Sequence, residues 1–227
     1  MDVGILPVKS FVFAKQRIAE ELGDDARRAL ASALLDDALA LCAAGDWIRW
    51  WIVTADPVVE RRARHFGFGV IEDPGGGLNP ALRAAVAYAG EQGATSITIV
   101  PADVPLGTRT DLLDIFDVGA TSEMVVVPAL RDGGTNALYM SRAGLIEPSF
   151  GPRSLQAHLA HASAAKLRCS ILRLPRLELD IDRAGDIADL LERPEAAGTA
   201  AGRAAAHWIA RAGRDQLAPR PLSRPGP

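Results

Sequence analysis

The carboxylate at position 103 is the side chain whose type and position best suit chemistry. Asp103 follows the β-branched segment 97–100, which predicts a buried strand, and it lies between Pro101 and Pro105, which end that strand. Open α/β sheets bind ligands at the carboxyl ends of their strands. A carboxylate placed there suits a hard cation that bridges phosphates. The alternative is a turn aspartate that caps the helix starting near Thr108, and Asp103 alone does not separate the two.

A group of basic residues follows the first predicted strand. Lys9, Lys15 and Arg17 surround segment 10–14, which contains no acid. Three cations after the first strand of a parallel sheet suit a polyphosphate. This loop has no glycine-rich phosphate cradle, so side-chain charge would have to replace backbone amides. The alternative is an ordinary solvated surface on a first helix.

A run of glycines precedes another predicted helix, in the segment 73–80. Glycines let the backbone approach a ligand closely. Asn79 suits the N-cap of the helix and Pro80 its first turn, and free amides at a helix start suit an anion. These features favour a binding loop over a flexible, well-capped connection.

Two other turns carry hydroxyl groups. The segment 132–136 has the composition of a hairpin turn, with Thr135 at the mouth of the next strand. The segment 150–154 leads into a helix that Ser154 could cap, where amides could hold a phosphate or a carboxylate. An ordinary hairpin turn also explains segment 132–136, and a plain helix start is the favoured interpretation of segment 150–154 when it is taken alone.

A pair of acidic residues near the end of the predicted domain is the second acidic candidate. In Leu179-Asp180-Ile181-Asp182, strand alternation would turn the apolar pair to one side and both acids to the other. Two neighbouring carboxylates raise each other's pKa unless a cation lies between them. If Asp103 converges on them, magnesium is the natural occupant. Asp182 could instead cap a helix beginning near Ala184, with Asp180 still a ligand.

Histidines and cysteines show no metal-binding pattern in this sequence. His158 and His161 lie three residues apart on a predicted helix, and without a third ligand we expect a surface face. Cys42 and Cys169 are the two cysteines; they are far apart, as expected of a protein from a reducing cytosol.

Predicted strands and helices alternate, which indicates an α/β fold with a mostly parallel twisted sheet and helices on both faces. A hairpin after residue 119 adds a small antiparallel part. We expect one domain over residues 1–212 and a proline-rich, disordered tail at 213–227. The predicted strands are 3–8, 48–54, 69–71, 97–100, 124–128, 136–140, 169–174 and 178–181, and the predicted helices are 25–44, 58–66, 80–92, 110–116, 154–164, 186–193 and 200–211.

Composition excludes several classes of protein. Hydrophobic residues make up 48% of the 227 residues and the net charge is −3, which suits a large core and gives no basic excess for nucleic acid. No apolar run is long enough to cross a bilayer, and the N-terminus does not resemble a secretory signal. We therefore expect a cytoplasmic protein without a nucleic-acid or membrane partner.

Taken together, the motifs resemble the 2-phospho-L-lactate / phosphoenolpyruvate guanylyltransferase family of coenzyme F-420 biosynthesis. They follow the family's order between residues 5 and 182, and the ordered set is specific although each motif alone is weak. The matching motifs are Leu-Pro-Val-Lys-Ser-Phe, Ala-Lys-Gln-Arg-Ile, Gly-Leu-Asn-Pro-Ala-Leu, Pro-Ala-Asp-Val-Pro-Leu, Asp-Gly-Gly-Thr-Asn-Ala-Leu, Phe-Gly-Pro-Arg-Ser and Leu-Asp-Ile-Asp.

The resemblance implies a fold like that of the molybdenum-cofactor nucleotidyltransferases and the transfer of GMP from GTP to a phosphorylated three-carbon acid, with release of diphosphate. It also implies a downstream transferase that uses the unstable product. It implies that Lys9, Lys15 and Arg17 bind the triphosphate of the nucleotide and that Gly77, Leu78 and Asn79 line the nucleotide pocket. It implies Mg²⁺ binding by Asp103, Asp180 and Asp182, with Asp103 also at the nucleotide, and catalytic roles for Lys9, Lys15, Arg17 and Asp103. Thr135, Gly151 and Ser154 would bind the phosphoacid.

The expected activity is phosphoenolpyruvate guanylyltransferase, with 2-phospho-L-lactate and 3-phosphoglycerate as other acceptors. One rival is a nucleotidyltransferase for a molybdopterin or a sugar phosphate. Another is a nucleotide-binding regulatory domain without turnover, and a third is a plain α/β domain of unknown role. The sequence leaves open the number of metal ions, the role of the tail, and whether the chain is a monomer or a homodimer.

Overall fold

A seven-stranded sheet with helices on both faces organises the chain. The structure is a computed structural model that describes residues 1–9 and 15–212. Its strands are β1 (Asp2–Pro7), β2 (Arg49–Thr54), β3 (Gly69–Glu72), β4 (Ser96–Ile99), β5 (Met124–Pro128), β6 (Thr135–Met140) and β7 (Cys169–Ile171). Its helices are α1 (Gln16–Leu22), α2 (Asp24–Ala44), α3 (Pro57–His65), α4 (Leu78–Glu91), α5 (Arg109–Gly119), α6 (Ser154–Ala164), α7 (Ala184–Leu191) and α8 (Ala200–Ala212), and a 3₁₀ turn (Pro194–Gly198) lies between the last two.

The strand order β3-β2-β1-β4-β6-β5-β7 brings the ends of distant segments together. β3, β2, β1 and β4 run parallel, whereas β6 runs antiparallel to both of its neighbours, β4 and β5. The first residue of β6 therefore lies at the edge where β1 and β4 end. This edge is the place where an open α/β sheet binds ligands, and the prediction of a mostly parallel sheet with an antiparallel addition is confirmed.

Apolar side chains alternate between the two faces of the sheet and bury each face against helices. Trp50 and Trp51 are neighbours on β2, and they pack into opposite cores. Helices α2, α3 and α5 cover the first face, and α4 and α6 cover the second. A third apolar cluster joins α1, α2, α7 and α8 beside the sheet edge.

The sequence prediction differs from the structure in several elements. Segment 178–181 is not a strand of the sheet, because its Ile181 amide donates to the Asp103 carbonyl instead of joining a strand ladder. Helix α4 begins at Leu78, before its predicted start. Helix α1 was not predicted at all.

Segment 213–227 lies outside the described residues, and the single domain over 1–212 stays a prediction. No helix within residues 1–9 and 15–212 combines the length and apolar character that crossing a bilayer requires.

Candidate active site

A cleft of about 550 Å³ opens at the carboxyl edge of the sheet. It collects side chains from the loops after β1 and β4, from the start of β6 and from the start of α6. Gly77 and Asn79 are the predicted site residues that do not line it. The predicted residues that do line it are Lys9, Lys15, Arg17, Leu78, Asp103, Thr135, Gly151, Ser154, Asp180 and Asp182.

The two acidic segments meet at this cleft. The Ile181 amide donates to the Asp103 carbonyl at 3.0 Å, which ties the extended segment 179–182 to the loop after β4. Leu179 and Ile181 are buried, so the expected alternation holds without a sheet ladder. The Lys15 ammonium donates to Asp103 Oδ2 and to Asp182 Oδ1, both at 2.7 Å. Asp103 therefore contacts the basic loop, and the helix cap at Thr108 is made by Thr108 and Asp111 instead.

Burial and charge set the pKa values of these groups. Burial alone would lower the pKa of Lys15, but the carboxylates of Asp103 and Asp182 outweigh it and raise that pKa. Burial would raise the pKa of Asp182, but Lys15, assisted by Arg17 and Lys9, lowers it. The pKa of Asp180 is raised to about 6, by burial first and then by the charge of Asp103. Asp180 is thus the acid that the neighbouring cations neutralise least.

The acids offer hard oxygen donors of the kind that magnesium and manganese prefer. Among the described residues, however, no three His, Cys, Asp or Glu side chains gather closely enough to form a metal site. The ammonium of Lys15 occupies the position between Asp103 and Asp182 and stands in for a cation there. The donor chemistry fits a divalent ion, provided that Lys15 gives up this position.

The glycine loop before α4 has the backbone that its composition predicts. Gly75, Gly76 and Gly77 have φ angles of 82°, 80° and 107°, which L side chains rarely adopt. Gly77 is the N-cap of α4, so the prediction of Asn79 as the cap is wrong. The Asn79 amide instead pairs with the backbone of Phe150, accepting from its N–H at 2.7 Å and donating to its carbonyl at 3.0 Å. Asn79 therefore connects the glycine loop to the loop before α6.

Two hydroxyl groups line the other part of the cleft. Thr135 begins β6 and Ser154 is the first residue of α6, and both side chains are buried. The N-cap of α6 is Arg153 with a φ of 58°, so Ser154 is not the cap. The Ser154 Oγ has no hydrogen-bond partner among the described residues. A buried hydroxyl without a partner at a helix start is suited to an anionic ligand.

His158 lies inside the protein, so the expectation of a surface face is wrong for it. Its side chain is 0% exposed and packs edge-on against Phe150, with ring centroids 5.2 Å apart. Its ring nitrogens contact Thr135 Oγ1 and the Ser149 amide, each at 3.0 Å. A histidine at the i+4 position from Ser154 on the same helix was the sequence feature that could have suggested this neighbourhood.

The fold is of the nucleotide-diphospho-sugar transferase type, since it matches solved structures that include one described in that way. A candidate nucleotide-diphospho-sugar transferase from Desulfovibrio desulfuricans G20 superposes with a TM-score of 0.78 at 16% identity, over 92% of this chain and 96% of the other. Rv0371c of Mycobacterium tuberculosis H37Rv, solved in complex with manganese, superposes with a TM-score of 0.52 at 18% identity, over 85% of this chain and 99% of the other.

Sequence comparison gives the family of the chain. The chain belongs to the CofC-like guanylyltransferases, because the model named Guanylyl transferase CofC like matches residues 2–200.

Three relatives carry different acceptor names. A 3-phospho-D-glycerate guanylyltransferase of Phenylobacterium zucineum is 37% identical over 86% of this chain and 91% of its own. A phosphoenolpyruvate guanylyltransferase of Roseiflexus sp. is 34% identical over 92% of both chains. A 2-phospho-L-lactate guanylyltransferase of Methanocaldococcus infernus is 30% identical over 82% of both.

Proposed function

We propose that this guanylyltransferase transfers GMP from GTP to phosphoenolpyruvate in a magnesium-dependent reaction that releases diphosphate. The observation that carries the proposal is the composition of the cleft. It holds the basic residues Lys9, Lys15 and Arg17, the acids Asp103, Asp180 and Asp182, and two buried hydroxyl groups. Such a site suits two anionic substrates and a divalent cation, and it does not require a strong base.

The basic residues after β1 would bind the triphosphate. Lys9 and Arg17 are exposed at the cleft. Lys15 also lines the cleft, and its ammonium would exchange Asp103 for a phosphate oxygen when GTP binds. Gly77 and Leu78 would approach the nucleotide with backbone amides at the start of α4. Asn79 would hold the glycine loop beside the nucleotide against the loop that binds the acid, because its amide is already paired with the Phe150 backbone.

The carboxylates of Asp103, Asp180 and Asp182 would hold the magnesium ion. Asp180 supports this role best, because burial and the charge of Asp103 make its ionised form unfavourable until a cation arrives. A bound divalent cation would neutralise phosphate charge in the transition state and on the departing diphosphate. Rv0371c, which shares this fold, was solved in complex with manganese, and this supports the proposal of a divalent ion.

Thr135, Gly151 and Ser154 would bind the phosphoacid. Gly151 has a φ of 130°, and this backbone leads the loop into α6, whose first residue, Ser154, lines the cleft. An anion at this place would give Ser154 the hydrogen-bond partner that it lacks among the described residues. These donors suit the phosphate or the carboxylate of a small acid.

The chemistry follows from the two anions. A phosphate oxygen of the acceptor is already ionised at neutral pH, so it attacks the α-phosphorus of GTP without a general base. A bond forms between that oxygen and the α-phosphorus, the bond to the bridging oxygen breaks, and its electron pair leaves with diphosphate. The residues then contribute alignment and neutralisation of charge, which are the main terms in phosphoryl-group transfer.

The choice of acceptor depends on groups as small as a methyl or a hydroxyl. The named relatives act on 3-phospho-D-glycerate, phosphoenolpyruvate and 2-phospho-L-lactate, respectively. A small apolar group changes selectivity only by about 10–200-fold, so the three acids should compete measurably. We place the reaction in coenzyme F-420 biosynthesis, upstream of a transferase that uses the guanylylated acid.

The test incubates the full chain with GTP, magnesium and each of the three acids. Diphosphate release is followed by a coupled assay, and the product is identified by mass. We expect release that depends on the acid and a product equal in mass to GMP joined to that acid. Release with none of the acids would refute the proposal, and release with CTP in place of GTP would favour another nucleotidyltransferase.

A further inference from the structure

The hydrogen bonds of His158 determine which of its ring nitrogens carries the proton. The Ser149 amide can only donate, and it meets Nε2 at 3.0 Å, so Nε2 must accept. A neutral imidazole has one proton, which is therefore on Nδ1. Nδ1 lies 3.0 Å from Thr135 Oγ1, so the histidine donates and the threonine oxygen accepts. If both nitrogens were protonated, the Nε2–H group would face the Ser149 N–H group, and neither could accept a hydrogen bond from the other.

The surroundings of His158 keep it in this neutral form. The ring is fully buried and packs against Phe150. Burial, followed by the charge of His161, lowers the pKa of His158 to about 4. The tautomer assigned from the two contacts is thus the form present at neutral pH.

This tautomer has a consequence for the threonine. Thr135 Oγ1 accepts the hydrogen bond from His158 Nδ1, and it has no other hydrogen-bond partner within residues 1–9 and 15–212. Its own hydroxyl hydrogen therefore remains free, and Thr135 lines the cleft. Because the Thr135 oxygen accepts a hydrogen bond from His158, its hydroxyl hydrogen can point into the cleft. In such a chain of hydrogen bonds, the bond from the histidine makes the hydroxyl a stronger donor.

We propose that His158 is a positioning residue for the acceptor: it holds the Thr135 hydroxyl as a hydrogen-bond donor to an anionic oxygen of the phosphoacid. This inference rests on the proposed function, because it assigns the cleft near Thr135 to the acid. The rival role is structural, in which His158 only fixes the backbone of Ser149 and fills space beside Phe150. A structural role affects GTP and the acid alike, whereas a positioning role affects the acid.

The tautomer is measured first, because it does not depend on activity. The full chain is labelled with ¹⁵N-histidine, and two-bond proton–nitrogen spectra are recorded near neutral pH. The His158 signals are identified by their loss in His158→Asn. We expect a protonated Nδ1 and a bare Nε2. A protonated Nε2, or an imidazolium, would overturn the proposal even if the enzyme is active. If the expected tautomer is found in a protein that shows no guanylyltransferase activity, the proposed function is refuted and the assignment of the tautomer is not.

Kinetics then separate the two roles. His158→Leu removes both hydrogen bonds, and we expect the KM of the acid to rise about tenfold while the KM of GTP changes less than about twofold. Thr135→Val should have the same effect, and the double variant should be no worse than Thr135→Val alone, because both changes remove one interaction. Equal rises in both KM values, or independent multiplicative effects of the two changes, would overturn the proposal.

Two further variants protect the test against misfolding. His158→Asn places an amide donor near the position of Nδ1, so it should restore much of the acid affinity that His158→Leu loses. An Asn variant as impaired as the Leu variant would count against the proposal. His207→Asn is the matched control, because His207 is exposed on α8 and does not line the cleft. It should leave both KM values unchanged.

Discussion

Replacing Asp180 by asparagine should stabilise the metal-free protein while it abolishes turnover. The pKa of Asp180 is raised from 3.8 to about 6, because burial and the charge of Asp103 disfavour its carboxylate. Each pKa unit corresponds to about 1.36 kcal/mol, so the full shift amounts to about 3 kcal/mol. The side chain is partly exposed, and solvent screening reduces this figure to about 1–2 kcal/mol. Asparagine keeps the shape and the oxygen that accepts from Asn136 at 3.1 Å.

The direction of the pH dependence follows from the raised pKa. A folded state that holds its proton more tightly than the unfolded state is favoured at low pH and loses that advantage as pH rises towards the folded pKa. The advantage of Asp180→Asn over wild type should therefore be fully present at about pH 8. It should fall to roughly half at about pH 5, between the pKa values of 3.8 and about 6.

Urea unfolding with a chelator present measures this difference. Asp117→Asn is the matched control, since Asp117 is exposed on α5 and should show no such gain. Added magnesium should stabilise wild type more than Asp180→Asn, and it should reverse their order if the ion binds at Asp180. An Asp180→Asn protein that is less stable than wild type at high pH would refute the electrostatic reasoning.

Four other predictions test the site. Asp182→Asn should destabilise the protein at about pH 8, opposite to Asp180→Asn. The pKa of Asp182 is lowered by its ion pair with Lys15, and the substitution removes that pair. Equal unfolding midpoints would contradict this. Asp103→Asn should reduce kcat at least about a hundredfold with the fold intact by circular dichroism, and full activity would exclude a metal role. Asn79→Ala should raise the KM of the acid about fivefold, because it releases the Phe150 backbone; a change confined to the KM of GTP would favour direct nucleotide contact. Chelation should stop diphosphate release, and magnesium should restore it.

The fold was predictable because its signals are local. The β-branched runs and helical periodicities place most elements within a few residues of their observed ends, and the order of strands and helices indicates the parallel sheet. Helix α1 escaped prediction because the short segment 16–22 packs onto α2 and the third apolar cluster, which its own composition does not show. The segment 178–181 alternates like a strand, yet it pairs with a loop instead of the sheet.

The candidate site was predictable at the level of residues and not of contacts. The residue types of Asp103 and Lys15 pointed to charge, but the ammonium that joins Asp103 to Asp182 depends on tertiary structure. Asparagine is a common N-cap residue, and only the tertiary structure shows that the Asn79 amide pairs with the Phe150 backbone instead. His158 resembled a surface histidine because nothing in the sequence shows that the Ser149 amide donates to its Nε2 atom.

The most direct test of the account is a single-turnover measurement with full-length protein in excess over labelled GTP. Magnesium and phosphoenolpyruvate are present together or omitted one at a time, and wild type is compared with Asp103→Asn. The account predicts label transfer to a guanylylated acid only when magnesium and phosphoenolpyruvate are both present. It predicts a much faster transfer in wild type than in the Asp103→Asn protein. Transfer that proceeds without any divalent ion, or equally well in the Asp103→Asn protein, would contradict it.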